Sequence, residues 1–194
     1  MDDRLSLPPR ARAVLDFWFG PSPHQVRDEW FRKDAGFDER IRAEFGDDIA
    51  AAVAGKFGEW CATPHGALAR VIVLDQFTRN TYRDTPLAFA GDPGALATAN
   101  EAVERGFDRS LDFYERWFLY LPFEHSEEAH MQERSLALFG ALSEEMGNRD
   151  ALDWAEKHAV IVRRFGRYPH RNAILGRAST PEEIAFLNEP GSRF

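Results

Sequence analysis

Ala69-Arg70-Val71-Ile72-Val73-Leu74 is the stretch that decides the fold class, because it is the only run of the sequence that resembles a β-strand. Thr63-Pro64 stands shortly before it, and a capping residue followed by proline is a typical start of an α-helix. The apolar side chains also recur at helical spacing, since Leu68 and Ile72 stand four residues apart. We therefore predict a helix over residues 64–79 and, with it, an all-α protein.

The rest of the chain carries similar helix signals. Capping residues precede proline at several sites, and glycines stand at the expected helix ends. The apolar spacing supports most of the segments between these signals. We predict helices near residues 9–19, 23–32, 38–54, 64–79, 93–105, 111–120, 126–146, 149–165 and 181–188. About nine helices joined by short loops are typical of antiparallel helix hairpins.

Length and composition indicate a soluble globular chain. The 194 residues fit one domain, residues 1–194, in which residues 166–194 form a C-terminal strap plus a short helix. No apolar run approaches the roughly 20 residues of a membrane span, and the acidic N-terminus has no signal-peptide core. The single Cys61 cannot form an internal disulfide, which favours a reducing compartment. We expect a cytoplasmic protein without a membrane partner.

The charge of the chain is unevenly distributed. The net charge is −8, which argues against wide electrostatic binding to nucleic acid. Residues 163–177, however, contain five arginines and no acidic residue. This basic segment is a candidate anion site, or the partner of internal acids.

The segment Leu74–Asn80 places polar side chains at the end of a helix that is otherwise apolar. Asp75 and Arg79 stand four residues apart, and so do Gln76 and Asn80. An ion pair between Asp75 and Arg79 has little effect on stability if it is exposed. If it is buried, it needs further partners to offset the cost of burial. Both a structural role and a ligand-binding role remain open for these four residues.

The segment Arg163–Asn172 ends another helix. His158 stands in an apolar stripe of that helix, where a histidine is more often a core residue than a ligand. Gly166 ends the helix, and the step before Pro169 is extended, so His170, Arg171 and Asn172 lie on irregular backbone. Arg167 and Arg171 are able to hold a carboxylate or phosphate. The alternative is that these two arginines bind internal acids or helix carbonyls.

A third polar segment follows Leu121. Pro122 is expected to end one helix, and Ser126 to cap the next. Glu124 and His125 lie at the corner between them, where His125 is a candidate acid or base. Gln132 is expected to point back towards the same cleft.

The sequence predicts no metal and no cofactor. Glu127 and His130 form one Glu-x-x-His pair, whereas di-iron helical bundles use two. No zinc-protease motif, phosphate-binding loop, dinucleotide glycine fingerprint or hydrolase elbow is present. Nucleotide hydrolysis and α/β-hydrolase chemistry therefore lose support.

Several ordered motifs of the chain resemble one bacterial family. They are Val14–Gly20, Trp30–Asp34, Leu74–Asn80, Tyr120–Glu127, Arg164–Asn172, Leu175–Arg177, Ser179–Glu183 and Pro190–Ser192. The family is catalogued as domain of unknown function 924. Thr78 stands where that family is expected to have proline, and Tyr168 where phenylalanine is expected. The resemblance implies a TPR-like α/α superhelix and no established reaction.

Three hypotheses follow for the polar segments. The first is a helical protein that binds a small anionic or peptidic ligand in a polar cleft, with the arginines on its carboxylate or phosphate. The cleft would be lined by the polar residues of the three segments: Asp75, Gln76, Arg79, Asn80, Glu124, His125, His158, Arg167, His170, Arg171 and Asn172. The second is an enzyme in which His125 or His170 is the acid–base group and Asp75 or Glu124 orients it. The third is a purely structural polar network in an interaction scaffold.

Overall fold

The computed structural model describes residues 3–192, and this part of the chain contains helices and no strand. The helices are α1 (Pro9–Phe19), α2 (Ala35–Val53), α3 (Pro64–Val71), α4 (Thr78–Thr81), α5 (Asp92–Glu104), α6 (Phe113–His125), α7 (Ala129–Met146), α8 (Asp150–Phe165) and α9 (Pro181–Phe186). The all-α prediction is confirmed. The superhelical arrangement remains a prediction.

The run at residues 69–74 is helical, as predicted. Thr63 begins α3 by accepting a hydrogen bond from the Gly66 amide, and Pro64 occupies the first turn. The segment Ile72–Phe77 continues α3 as a π-helix and leads directly into α4, so residues 64–81 form one rod. All six side chains of the π-helical segment are buried. Short π-helical insertions are frequent at functional sites.

The chain divides into two compact units. The N-terminal unit runs to Arg83 and includes Leu87–Pro122, whereas the C-terminal unit contains Asp84–Pro86 and the chain from Phe123 onward. The single-domain organisation stays a prediction. No helix within residues 3–192 has the length and apolar character that crossing a membrane requires.

An aromatic core fills the N-terminal unit. Trp18 of α1 packs edge-on against Phe77 and Phe118, with ring centroids 5.8 and 5.3 Å apart. Phe45 of α2 lies 4.8 Å from Phe77. Because these rings come from four different segments, their burial fixes the π-helical segment against α1 and α2.

The C-terminal unit is organised by the pair α7 and α8. Gly166 ends α8 with a φ of +70°, a conformation that glycine adopts readily. Tyr168 then folds back onto Ile161 and Val162, and Phe186 of α9 packs on Phe165 with ring centroids 5.0 Å apart. This return of the chain brings Tyr168 and the residues after it against α8.

Some sequence predictions of local structure are wrong. Residues 23–27 are not helical, and only Asp28–Trp30 form a 3₁₀ turn. Arg27 instead donates hydrogen bonds to the carbonyls of Phe17 and Trp18 at 2.7 and 2.8 Å. These contacts with α1 replace the hydrogen bonds of the predicted helix.

The region between α6 and α7 also differs from the prediction. α6 continues through Pro122 to His125 instead of ending near residue 120. Ser126 does not cap α7, because Glu128 holds the capping position and makes no side-chain cap. Gln132 donates to the carbonyl of Glu124 in the last turn of α6 and to that of Ser126 just after the helix, at 2.7 and 2.6 Å. These bonds satisfy backbone acceptors at the end of the extended helix.

Candidate functional site

Glu124 and His158 form a buried carboxylate–imidazole pair in the C-terminal unit. The Nδ1 atom of His158 lies 3.1 Å from Oε1 of Glu124 and 2.9 Å from the carbonyl oxygen of Trp154. Both neighbours are acceptors, so we assign the proton of a neutral ring to Nδ1 and the lone pair to Nε2. The pair thus has the arrangement in which a carboxylate orients an imidazole.

Tyr168 lies at the centre of this site and is fully buried. Its hydroxyl donates to the carbonyl of Glu124 at 2.5 Å and accepts from the amide of Gln132 at 3.0 Å. Its ring stands edge-on to His158, with centroids 5.7 Å apart. Burial, followed by the charge of Glu124, raises the pKa of Tyr168, so the phenol stays neutral.

Three further basic side chains surround His158 and Tyr168. The ring of His125 lies 6.2 Å from that of His158, and the ring of His170 lies 5.6 Å from that of Tyr168. The Arg171 guanidinium stacks over Tyr168 at 4.6 Å from the ring centroid. Burial first, and then the charges of His125, His170 and Arg171, lower the pKa of His158 to about 3. Its imidazole is therefore neutral at physiological pH.

α7 contributes polar groups to the same interior. Gln132 and Ser135 are three residues apart, and each is about 1% exposed. Gln132 lies where it was predicted, directed towards Glu124. Its Oε1 atom and the hydroxyl of Ser135 have no hydrogen-bond partner among residues 3–192. Buried polar atoms of this kind are uncommon and favour an additional partner such as water or a ligand.

The other residues of the basic segment pair with internal acids. Arg167 donates to both carboxylate oxygens of Glu183, at 2.6 and 2.8 Å. Arg177 does the same to Glu127, at 2.6 and 2.9 Å. These forked ion pairs favour the structural interpretation for Arg167.

Asn172 joins that network. Its amide donates to the Ser179 hydroxyl at 3.0 Å, and its oxygen accepts from Arg177 at 3.0 Å. The carboxylate of Glu127 also accepts from the Tyr168 amide at 2.8 Å. His130 contacts Glu128 on the surface instead, so the Glu127–His130 motif does not converge.

The predicted residues of the N-terminal unit form two separate groups. Asp75 is fully buried, and its carboxylate accepts from Arg79 at 2.9 Å and from Gln76 at 2.6 Å. Arg79 also holds Asp92 with both ends of its guanidinium. The ion pair predicted between Asp75 and Arg79 is thus confirmed, and it is completed by two further side chains.

Asn80 faces a different acid. Its amide donates to Asp38 at 2.8 Å, and Arg83 holds the same carboxylate at 2.6 and 3.0 Å. The predicted ligand-binding set is therefore divided between the two units. A single cleft that includes all eleven residues remains a prediction.

Sequence reasoning missed a second cluster of ionisable side chains in the N-terminal unit. His24, Asp112 and Glu115 place one side-chain atom each within 4.8 Å of the others. His65 lies 3.2 Å from Glu115, and Arg4 contacts both Glu115 and His24. The available signal was Asp112-Phe113-Tyr114-Glu115, a capping pattern at the start of α6 that gave no hint of its long-range partners.

Glu115 is strongly acidic in this environment. Burial raises its pKa, but the hydrogen bonds from His65 and the Asp112 amide, with the charges of His65 and Arg4, lower it to about 2. The carboxylate is therefore ionised although it is almost fully buried.

The fold and the two polar clusters define an all-α protein with buried histidine–carboxylate groups. The chain belongs to the family described as "Bacterial protein of unknown function (DUF924)", which matches residues 14–191. The resemblance noted in the sequence is thereby confirmed.

A solved structure supports the same assignment. It is that of a protein of unknown function from Agrobacterium tumefaciens, which is 40% identical, with a TM-score of 0.81 over 92% of this chain and 96% of that chain. None of the curated proteins compared with the chain gives a significant match. The comparisons therefore establish family and fold but supply no reaction.

Proposed function

We propose that the protein binds a small anion, a carboxylate or a phosphate, in its C-terminal unit. The observation that carries this proposal is the convergence of His125, His158, His170 and Arg171 around Tyr168. Glu124 is the carboxylate paired within this group. Burial is the main reason why the pKa of His158 is lowered, and the neighbouring basic groups lower it further.

The physical argument is one of compensation. Arg171 brings a positive charge into a low-dielectric interior, the histidines add to that charge when they are protonated, and an anion placed among them compensates for it. His125 and His170 are only partly buried, so a ligand is able to reach them. Neutral His158 contributes hydrogen bonding without adding further positive charge.

Arg171 takes the role that the sequence assigned to two arginines. Both carboxylate oxygens of Glu183 engage Arg167, which makes Arg167 a structural residue in this proposal. Arg171 is buried against the Tyr168 ring and is held at the edge of the histidine group. Stacking of this kind orients a guanidinium for bidentate recognition of an anion.

Calorimetric titration of the full chain tests the proposal. The probes are inorganic phosphate, succinate, and one short peptide with a free or an amidated C-terminus. We expect His170→Gln and Arg171→Gln to weaken binding of the preferred probe at least tenfold. Arg163→Gln removes the same charge from an exposed arginine that contacts Glu133, and it should bind as the wild type does.

The outcomes separate the hypotheses. Equal affinity of His170→Gln and the wild type for every probe contradicts the proposal. If Arg171→Gln unfolds the chain, His170→Gln still decides, because His170 is partly exposed. Preference for the free over the amidated peptide would identify a peptide carboxylate as the ligand.

A second candidate function is acid–base catalysis by His158. The observation that favours it is the 3.1 Å contact between Glu124 and His158 Nδ1, which leaves Nε2 as the basic atom. The sequence had assigned this role to His125 or His170. A catalytic imidazole that is neutral at pH 5 and accessible to substrate should be modified by diethyl pyrocarbonate at that pH. No modification of His158 would show that reagents cannot reach it and would contradict the catalytic role.

We also propose that the protein acts in the cytoplasm. The support is its single cysteine, Cys61, which has no partner for an internal disulfide. Fractionation of bacteria expressing the full chain tests this. Recovery of the protein from the periplasmic or membrane fraction would contradict it.

A further inference from the structure

In the cluster of His24, Asp112 and Glu115 at the start of α6, each carboxylate uses one oxygen to cap the helix and directs the other towards His24. Oδ1 of Asp112 accepts from the Glu115 amide at 3.0 Å, and Oε2 of Glu115 accepts from the Asp112 amide at 2.9 Å. These bonds form a capping box. The second oxygen of each carboxylate, Oδ2 of Asp112 and Oε1 of Glu115, is directed instead towards His24.

Three ligand atoms converge as a result. His24 Nδ1 lies 2.5 Å from Oδ2 of Asp112 and 3.9 Å from Oε1 of Glu115. Ligand atoms of a tetrahedral zinc site stand about 3.3 Å apart, as bonds of about 2.0–2.1 Å require. The first distance lies below this value and the second above it, so a bound ion would require the half-exposed Asp112 side chain to move away from His24, and Glu115 and His24 to move closer together.

We propose that His24, Asp112 and Glu115 bind a divalent metal ion of the zinc or manganese class. One imidazole and two carboxylates suit these borderline and hard cations. Two of the three ligands, His24 and Glu115, are buried, and the capping box holds one oxygen of each carboxylate while leaving the other for an ion. Water would complete the coordination once Arg4, which contacts Glu115 and His24, has moved away.

His65 supports this site from outside the ligand set. Its Nε2 atom lies 3.2 Å from Oε1 of Glu115, and the histidine is itself buried. A hydrogen bond from a neighbouring side chain to a ligating carboxylate is a common feature around metal ions and orients the ligand.

Arg4 would compete with the metal ion for Glu115 and His24. Its guanidinium contacts Oε1 of Glu115 and donates to Nε2 of His24 at 3.2 Å. With Nε2 as acceptor, the proton of His24 is on Nδ1 and is donated to Asp112. Metal binding moves this proton from Nδ1 to Nε2, where it would face Arg4. The ion therefore displaces Arg4 both by charge and by tautomer.

Calorimetry and elemental analysis of the dialysed full chain test the proposal, with Zn²⁺ alone and Mn²⁺ alone as probes. We expect about one ion per chain and a tenfold or larger loss of affinity in His24→Gln and Asp112→Asn. Asparagine remains a good helix cap, so Asp112→Asn removes the charge and spares the helix start. His130→Gln is the matched control, because His130 also contacts a carboxylate, at 3.4 Å, but on the surface.

Arg4→Gln should change the zinc affinity in the opposite direction. Removing the competing cation should raise zinc affinity severalfold, which a variant that merely misfolds would not do. Two results overturn the proposal: zinc affinity in His24→Gln equal to that of the wild type, and no rise of affinity in Arg4→Gln. Failure here leaves the anion site untouched, since His24, Asp112 and Glu115 belong to the N-terminal unit and the anion-binding residues to the other.

Discussion

His158 holds its Nδ1 atom 3.1 Å from Glu124 and 2.9 Å from the Trp154 carbonyl, one turn back on its own helix. The ring is therefore oriented by one local and one distant acceptor. Because burial, together with the neighbouring basic groups, lowers the pKa of the imidazole and keeps it neutral, Glu124 is paired with a hydrogen-bond donor and not with a cation. Protonation of the buried His158 ring should therefore destabilise the C-terminal unit.

Because of His158, the protein should become less stable as the pH is lowered. Its folded pKa, about 3, lies below its usual value of 6.5, so the unfolded chain binds a proton that the folded chain does not. The contribution of His158 to the free energy of unfolding is fully present above pH 6.5 and is lost as the pH falls towards 3. Urea denaturation should show a loss of up to about 1.4 kcal/mol per pH unit from this group in that window.

His158→Gln should remove that slope between pH 6.5 and 5. Glu115 does not interfere there, because its pKa is lowered to about 2 from 4.5 and its own contribution is lost only below pH 4.5. His130→Gln serves as the control, and its slope should match that of the wild type. An unchanged slope in His158→Gln would show that the ring is protonated normally.

Asp75→Asn should destabilise the chain by roughly 1–3 kcal/mol, because it removes a fully buried acceptor from Arg79 and Gln76. Asp28→Asn is the matched control. Asp28 and Arg32 are also an i,i+4 pair, but both side chains are at least 75% exposed. That change should shift the unfolding free energy by less than about 0.5 kcal/mol. Equal effects of the two changes in chemical denaturation would contradict a structural role for Asp75.

Gly91→Ala should destabilise by about 1–3 kcal/mol or more. A Cβ atom at this position would stand 2.0 Å from the backbone oxygen of Leu74 in the π-helical segment. Gly140→Ala is the contrasting change, since a Cβ there meets nothing within 4 Å. It should stabilise α7 by about 0.5–1 kcal/mol. Thermal unfolding of the two variants should therefore shift in opposite directions.

Gln132→Leu should destabilise by about 1–3 kcal/mol, because the half-buried Ser126 carbonyl and the buried Tyr168 hydroxyl lose the Gln132 donor, and the Glu124 carbonyl keeps only the bond from Tyr168. Glu144→Leu, at an exposed position of the same helix, should change stability by less than about 0.5 kcal/mol. A small effect of Gln132→Leu in urea denaturation would mean that water replaces the side chain readily.

Local signals in the sequence were sufficient for most of the helices. Thr63-Pro64 and Gly166 mark helix ends by backbone rules that act within a few residues. The same rules failed at residues 23–32, where Arg27 binds carbonyls of α1 and His24 binds Asp112, 88 positions away. Distant partners decide that segment, and a single sequence does not reveal them.

The candidate site could be predicted only in part, because some of its contacts also depend on distant partners. Periodicity placed Asp75 with Arg79 and set His158 on an inward face, because both inferences depend only on helical spacing. The pairing of Arg167 with Glu183 depends on the path of the chain after Gly166, which spacing does not determine. The cluster of His24, Asp112 and Glu115, for which metal binding is proposed, was not predicted, because His24 and Glu115 come close together only in the folded chain.

The π-helical segment Ile72–Phe77 determines how the rod of residues 64–81 would respond to the loss of one residue. A π-helical turn holds one residue more than the α-helical turn that it replaces, so the segment is an insertion absorbed without a loop. Deleting Val73 would allow ordinary α-helical bonding and keep the rod almost as long. Because the π-helical turn absorbs the extra residue, the residues on either side of it would keep their faces after this deletion. Deleting Ala69 from the α-helical part would instead turn Asp75 and Arg79 by ~100° relative to the residues before it, and would carry the buried ion pair to the wrong side.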